Sequence, residues 1–378
     1  MLILLRFLSC ARPLAARAHL LTAGLALAGA AGLPQAVAQD VRPTVAAPSN
    51  PPATASTVAQ PATEAVRALQ VVLLLPLENA ILRRAATSVR DGAAAVFATR
   101  KREVNLRDCS YAADGVAAAY ARCVDERVDW VIGPLGRIDV AALALAKLPA
   151  MRPTLMLSPL GTVPPHPLAV LAPELEAEGE AIAQQAVEDA CRRPVLIEAS
   201  GALAGRVNVA ITAYWRERIA TPLTQHRLGN RDSWRRVTEG WRRDNVDCVL
   251  FAGGGSVLVE LRPYLRGIAI YTTSASYESE LERTTDWTGV RIADAPWLID
   301  AERAEFAAFM PAVATSPTLS RLYALGVDAA RLVLAAGRDT LPPAFDGAIG
   351  QLVLKDAQYR RQPMIGEFRE RNLVKVGP

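Results

Sequence analysis

The residues that could do chemistry are few, and the first cluster is a glycine run. Gly253-Gly254-Gly255-Ser256 directly follows an apolar run ending at Phe251 and precedes a helical pattern. Backbone amides at such a strand-to-helix turn can hold an anion. The run has neither the lysine of a phosphate-binding loop nor the spacing of a dinucleotide fingerprint, so a tight turn is its simpler reading. Tyr271-Thr272-Thr273-Ser274-Ala275-Ser276 puts hydroxyls at another strand end, where they either face a cleft or cap the following segment. Ser158 and Gly161 occupy a loop after an earlier strand, and Asp294 and Trp297 flank a crossing between two halves of the chain. With Leu77, Glu78 and Leu135, which follow the first and third strand-like runs, and with Gly254, Ser256, Thr272, Thr273 and Ser274, these form the candidate cleft.

A catalytic set does not emerge. The chain has no G-x-S-x-G, no H-E-x-x-H and no cysteine with a plausible histidine partner. Only three histidines exist, so no metal or cofactor site is expected. Glu174, Glu176 and Glu178 sit at a helix start, where interaction with the helix dipole accounts for them. Trp234-Arg235-Arg236 and Trp241-Arg242-Arg243 recur seven residues apart, on one side of a helix. Either the indoles pack inward beneath a solvated arginine face, or Trp234, Arg235, Trp241 and Arg242 dock a partner.

The elements that must position these residues alternate strand and helix. Leu69–Leu75 is continuously apolar and stops at Pro76, as a parallel strand buried on both faces should. Helical spacing follows over residues 81–99, then a strand at 104–107 and a helix at 112–124. A strand at 128–132, a helix at 138–148 and a strand at 153–157 complete the first series. A second series begins after Pro173, with helices at 174–189, 203–219, 233–243 and 257–265. Its strands lie at 195–198, 246–251 and 268–271. This pattern predicts an α/β fold of two doubly wound parallel-sheet lobes joined by crossovers, with a cleft at the carboxyl ends of the strands. A long helix over 319–336 and a hairpin of 348–354 with 364–368 complete the expectation. The first lobe then comprises 68–171 plus 300–337, and the second 172–299 plus 338–378.

Export is expected from the first 38 residues. Arg6, Arg12 and Arg17 precede a short apolar core from Leu20 to Leu33, and Ala36-Val37-Ala38 supplies a small-x-small cleavage pattern. Almost no apolar segment precedes Cys10, which disfavours a lipid anchor there, and no membrane span is expected after cleavage. Residues 39–67 are rich in Pro and Ala and read as a linker. The whole chain carries 42 basic and 38 acidic side chains, a net charge of +4; taking away the three leader arginines leaves +1. That balance argues against a nucleic-acid binder. Four cysteines remain beyond Cys10, with three connectivities open. Cys109 and Cys123 fall at opposite poles of an ideal strand–helix unit, about 15–20 Å apart, so bridging them needs a short or bent helix. Export still favours that pair, with Cys191 and Cys248 as the second and buried free thiols as the alternative.

Several stretches resemble a known family. Val71 to Leu77, Val89-Arg90-Asp91-Gly92-Ala93, Val131-Ile132-Gly133-Pro134-Leu135 and Leu157-Ser158-Pro159 resemble type I periplasmic binding proteins. Tyr271-Thr272-Thr273-Ser274, Gly289 to Leu298, Arg321 to Ala329 and Gly347 to Leu352 are similar to the C-terminal domain of LppC-type penicillin-binding protein activators. The resemblance spans roughly residues 69–370. It implies a non-catalytic periplasmic protein that docks on a class A penicillin-binding protein and stimulates peptidoglycan synthesis. Family activators carry a lipid anchor and a helical N-terminal domain, which this chain replaces with its Pro/Ala segment. The alternative is a receptor that closes on a small polar ligand such as an amino acid for an ABC importer. In such receptors the loop matching Ser158 helps hold the ligand, but here Pro134 stands where hydroxyl residues are expected and removes an amide donor.

Overall fold

A computed structural model describes residues 67–112, 115–278, 285–313, 315–370 and 372–377. The expected leader and most of the expected linker lie outside the described residues. In the first lobe, β1 (Leu69–Leu75), α1 (Arg83–Ala98), β2 (Val104–Ser110), α2 (Val116–Cys123), β3 (Trp130–Ile132), α3 (Arg137–Leu145), β4 (Thr154–Met156) and β5 (Leu168–Leu171) build a parallel sheet in the order β2-β1-β3-β4-β5. β1 lies between β2 and β3, so its apolar run is paired on both edges and covered on both faces.

The second lobe repeats the arrangement. It contains α4 (Leu175–Glu188), β6 (Pro194–Glu198), α5 (Ala202–Arg218), β7 (Thr224–Arg227), α6 (Arg231–Arg243), β8 (Cys248–Phe251), α7 (Gly255–Leu261), β9 (Ala269–Thr273) and β10 (Val290–Asp294). Its parallel strands run in the order β7-β6-β8-β9-β10. The chain then passes through α8 (Pro296–Ile299) and α9 (Ala304–Ala307) to α10 (Pro317–Ala336). α10 crosses α1 so closely that a Cβ on Gly326 would lie 2.0 Å from the carbonyl oxygen of Val89, and one on Gly92 2.1 Å from that of Tyr323. Only glycine permits that backbone-to-backbone approach.

The tail departs from the expected hairpin and from its assignment to the second lobe alone. β11 (Ala344–Asp346), β12 (Gln351–Lys355) and β13 (Gln358–Gln362) extend the first sheet, β13 running parallel to β5. β14 (Met364–Arg369) and β15 (Asn372–Lys375) extend the second, antiparallel to β10. The side chains account for the split, since Leu352 and Tyr359 bury in the first core and Phe368 in the second. α8 also belongs with the first core, where Trp297 packs on Phe306 and Tyr323. The crossing therefore falls at Asp294–Ala295, before residue 299.

Both expected disulfides form, Cys109–Cys123 with Cα atoms 6.1 Å apart and Cys191–Cys248 at 6.0 Å. α2 is only eight residues long, the short-helix condition the first bridge required. Its last turn lies beside β2, with Arg122 donating to the Ser110 carbonyl at 2.9 Å. Among the described residues no helix is long and apolar enough to cross a membrane.

Candidate functional site

The space between the lobes is bounded by α4 and the β9 and β10 ends of the second lobe and by α10 and β13 of the first. Three ion pairs span it: Arg360 of β13 meets Glu174 at 3.4 Å near the surface, and two pairs lie deeper. Arg361 of β13 donates to Glu178 of α4 at 2.8 Å, with both side chains almost fully buried. Arg321 of α10 grips Asp294 at the end of β10 through Nε at 2.7 Å and Nη2 at 2.6 Å. This planar fork matches a carboxylate in a way a lysine would not.

The remaining polar atoms of these groups mostly find protein partners. Glu178 also accepts the Ser274 N–H at 2.8 Å, and Arg361 Nε donates to the Ile349 carbonyl at 2.6 Å. Asp294 accepts the Ala295 N–H, and Arg321 Nη2 donates to the Tyr277 carbonyl. Burial raises the Glu178 pKa, chiefly against the pull of Arg361. Burial opposes the Arg321 charge, yet Asp294 and then Glu178 hold its pKa above the ordinary value. Beneath this layer Asp328 of α10 accepts the Ala348 and Ile349 N–H groups at 2.7 and 2.8 Å and meets Arg331. It fixes the loop that carries the Ile349 carbonyl. Complete burial pushes its carboxyl up to about 6 despite those partners.

What remains between the lobes is a cavity of about 240 Å³. Its walls are largely apolar, including Pro173, Leu175, Leu203, Ala275, Leu322 and Ile349. Pockets for small ligands generally run from about 300 to 1,000 Å³ with a few convergent free polar groups. On the cavity wall the exposed Glu278 has only its backbone carbonyl engaged among the described residues, by Thr318, whereas the polar groups deep in the cavity are committed to one another. A zwitterion would have to displace them to enter.

Of the twelve expected cleft residues, only Ser274 lines this cavity. The others are absorbed by the fold or face solvent. Thr272 donates to the Phe251 carbonyl and meets the Ser276 hydroxyl, and the buried Thr273 hydroxyl has no partner among the described residues. Ser158 donates to the Leu135 carbonyl, Leu135 is itself buried, and Leu77 packs partly on the first core. Glu78 and Ser256 are exposed, Gly161 sits open at φ 81°, and Gly254 is the N-cap residue just before α7. Around it, a Cβ on Gly253 would strike the Phe251 ring and one on Gly255 the Ser276 carbonyl. The glycine run is thus a tight packed turn. Asp294 is a partner of Arg321, and Trp297 is core packing.

Of the two readings of the tryptophans, inward packing is the one the structure shows, and the indoles are not available for docking. Trp234 and Trp241 are buried in the second core, edge-on to Tyr264 and His226 respectively. α6 has a strongly one-sided pattern, so the indoles turn inward while Arg235 and Arg242 remain exposed. Arg242 donates to the Tyr264 carbonyl.

The residues that do meet between the lobes, Glu178, Arg321 and Arg361, were not singled out as cleft residues from sequence. A signal existed. Glu178 lies on the same buried stripe of α4 as Ile182 and Ala186, where an acid demands a partner.

Comparison with known proteins gives the same architecture. A family model described as "LppC putative lipoprotein" matches residues 39–239 and 228–360. The C-domain of LpoA (YraM) from Haemophilus influenzae, described as a regulator of PBP1A, is 20% identical with a TM-score of 0.66. The match covers 82% of this chain and all of that one. Full-length LpoA from the same organism is 20% identical with a TM-score of 0.64, over 82% of this chain and 59% of that protein. A Chromobacterium violaceum protein described as a "putative branched-chain amino acid ABC transporter" is 27% identical with a TM-score of 0.69. There the match covers 79% of this chain and all of that one. No curated protein matches the chain.

Proposed function

The chain belongs to the LppC family, and from that premise we propose that it is a non-catalytic regulator in the periplasm that docks on a class A penicillin-binding protein and raises its activity. The observation that carries this reading is the cleft closed by Arg361–Glu178 and Arg321–Asp294. A solute receptor keeps polar groups free between its lobes to meet a polar ligand; here four charged groups are spent on each other. The body is then suited to act through its outer surface. A regulator of this kind works only by binding the active conformation of its partner more tightly than the inactive one. The likeness to a described regulator of PBP1A supports the choice of partner, and the two disulfides support an oxidising compartment.

The test has two arms. Thermal unfolding of the purified chain is followed with each common amino acid at high concentration, and binding to the periplasmic part of a class A synthase is measured by calorimetry. The proposal expects heat of binding with the synthase and no change in Tm with any amino acid. A ligand at 100 times its Kd adds about 2.7 kcal/mol of stability. A clear rise in Tm with one amino acid, and no binding to the synthase, would make the chain a solute receptor.

A further inference from the structure

α3 is apolar on both sides, although only one side is covered. Asp139, Val140 and Leu143 face the first lobe and are buried. At 3.6 residues per turn, Ile138, Ala141, Ala142 and Leu145 form a stripe on the opposite side. That stripe faces solvent: Ile138 is 80% exposed and Leu145 82%, and both alanines are exposed. A helix apolar all round is normally buried all round. Single exposed apolar side chains are ordinary, whereas a continuous stripe marks a contact surface.

A further exposed apolar residue stands in the segment that meets the start of the helix. Leu82 lies against Gly136 at the start of α3, its Cδ1 3.3 Å from where a Cβ on that glycine would stand. Its neighbour Ile81 is 89% exposed. Cations stand at both ends, with Arg137 at the first helical position and Lys147 just past the last; both are exposed, and neither is ion-paired among the described residues. The helix's one acid, Asp139, points inward and accepts a hydrogen bond from the Tyr111 hydroxyl at 3.0 Å.

We propose that the outer face of α3 is the docking surface for the synthase, and that it receives an aliphatic groove rimmed by carboxylates. This inference rests on the reading under Proposed function and names the surface through which it acts. Charge decides between a foreign partner and a second copy of the chain. Two copies pairing antiparallel through α3 would set Arg137 of each against Lys147 of the other, with no acid on the stripe to offset them. An acidic-rimmed partner satisfies both cations and covers the apolar centre.

The test compares the purified chain with Ile138→Asp and Leu145→Asp, singly and together, in calorimetric binding to the periplasmic part of a class A synthase. Both side chains are solvent-exposed, so the variants should unfold within a degree or two of the parent. Val209→Asp, at an exposed apolar position on α5 of the other lobe, is the control. The double variant should bind at least 30-fold more weakly, and the control should be unchanged. Arg137→Glu should slow association and flatten its salt dependence. If the parent binds and the double variant binds equally well, docking occurs elsewhere and this inference fails while the proposed function stands. If the parent itself does not bind, both fail. Sedimentation of a dimer that Ile138→Asp dissolves would make the occupant a second copy and overturn the proposal.

Discussion

Arg361→Met is the perturbation that probes the closed cleft most sharply. The side chain is 2% exposed and its partner Glu178 1%, so the variant leaves a carboxylate buried with only the Ser274 N–H for company. Removing one partner of a buried pair costs about 3–5 kcal/mol. Glu178→Met, which orphans the guanidinium, should cost a similar amount. The double variant should cost less than the two singles added together. It leaves no unpaired charge and orphans only the Ser274 N–H and the Ile349 carbonyl, at about 1–3 kcal/mol each. The singles thus sum to about 6–10 kcal/mol and the double to about 2–6. Urea unfolding at pH 7 of the four proteins gives the cycle directly, provided the m-values agree. Singles costing under about 1 kcal/mol, or a double equal to their sum, would mean that water already separates the pair in solution. The cleft would then be open, and the argument against a polar ligand would fail.

Three further outcomes are expected. Asp328 titrates at about 6 when folded against about 3.8 when exposed, so between those values the native state holds a proton that the unfolded chain has lost. Its contribution is therefore greatest below pH 4 and falls as pH rises to 6, by about 3 kcal/mol at 1.36 kcal/mol per pH unit; Asp328→Asn should flatten the stability curve in that window, and an unchanged slope would refute the assignment. Reducing Cys191–Cys248, which closes 57 residues, should remove about 4 kcal/mol, and Cys109–Cys123, which closes 14, about 3; identical urea midpoints with and without reductant would contradict this. Gly326→Ala places a methyl group on the Val89 carbonyl and must push α10 from α1, costing about 1–3 kcal/mol or more, and a melting temperature within a degree of the parent's would show that the crossing is looser.

The two parallel sheets were readable because buried strands such as Leu69–Leu75 and amphipathic helices such as Pro317–Ala336 carry their burial in their pattern. β7 was not, since Thr224-Gln225-His226-Arg227 is a polar edge strand with one neighbour and nothing to bury. β5 was missed for another reason: it follows β4 through a proline-rich loop with no helix between, breaking the alternation on which the reading relied. The tail was misassigned because period-two patterning says that a segment is a strand, but not which of two sheets it joins. The cleft was the least legible part. Hydroxyl-rich loops look like ligand contacts in sequence, yet Thr272, Ser276 and Ser158 bond to backbone carbonyls a few ångströms away. The pairs that close it join residues 183 and 27 positions apart in the chain, and only the fold brings them together.

Stimulation of the synthase is measured as glycan polymerisation and cross-linking by a purified class A penicillin-binding protein, with and without saturating amounts of this chain. The rate should rise with added chain and reach a plateau, and Ile138→Asp should shift the titration to higher concentration. A rate unchanged at saturation, with the chain shown to be folded and disulfide-bonded, would contradict the proposed stimulation.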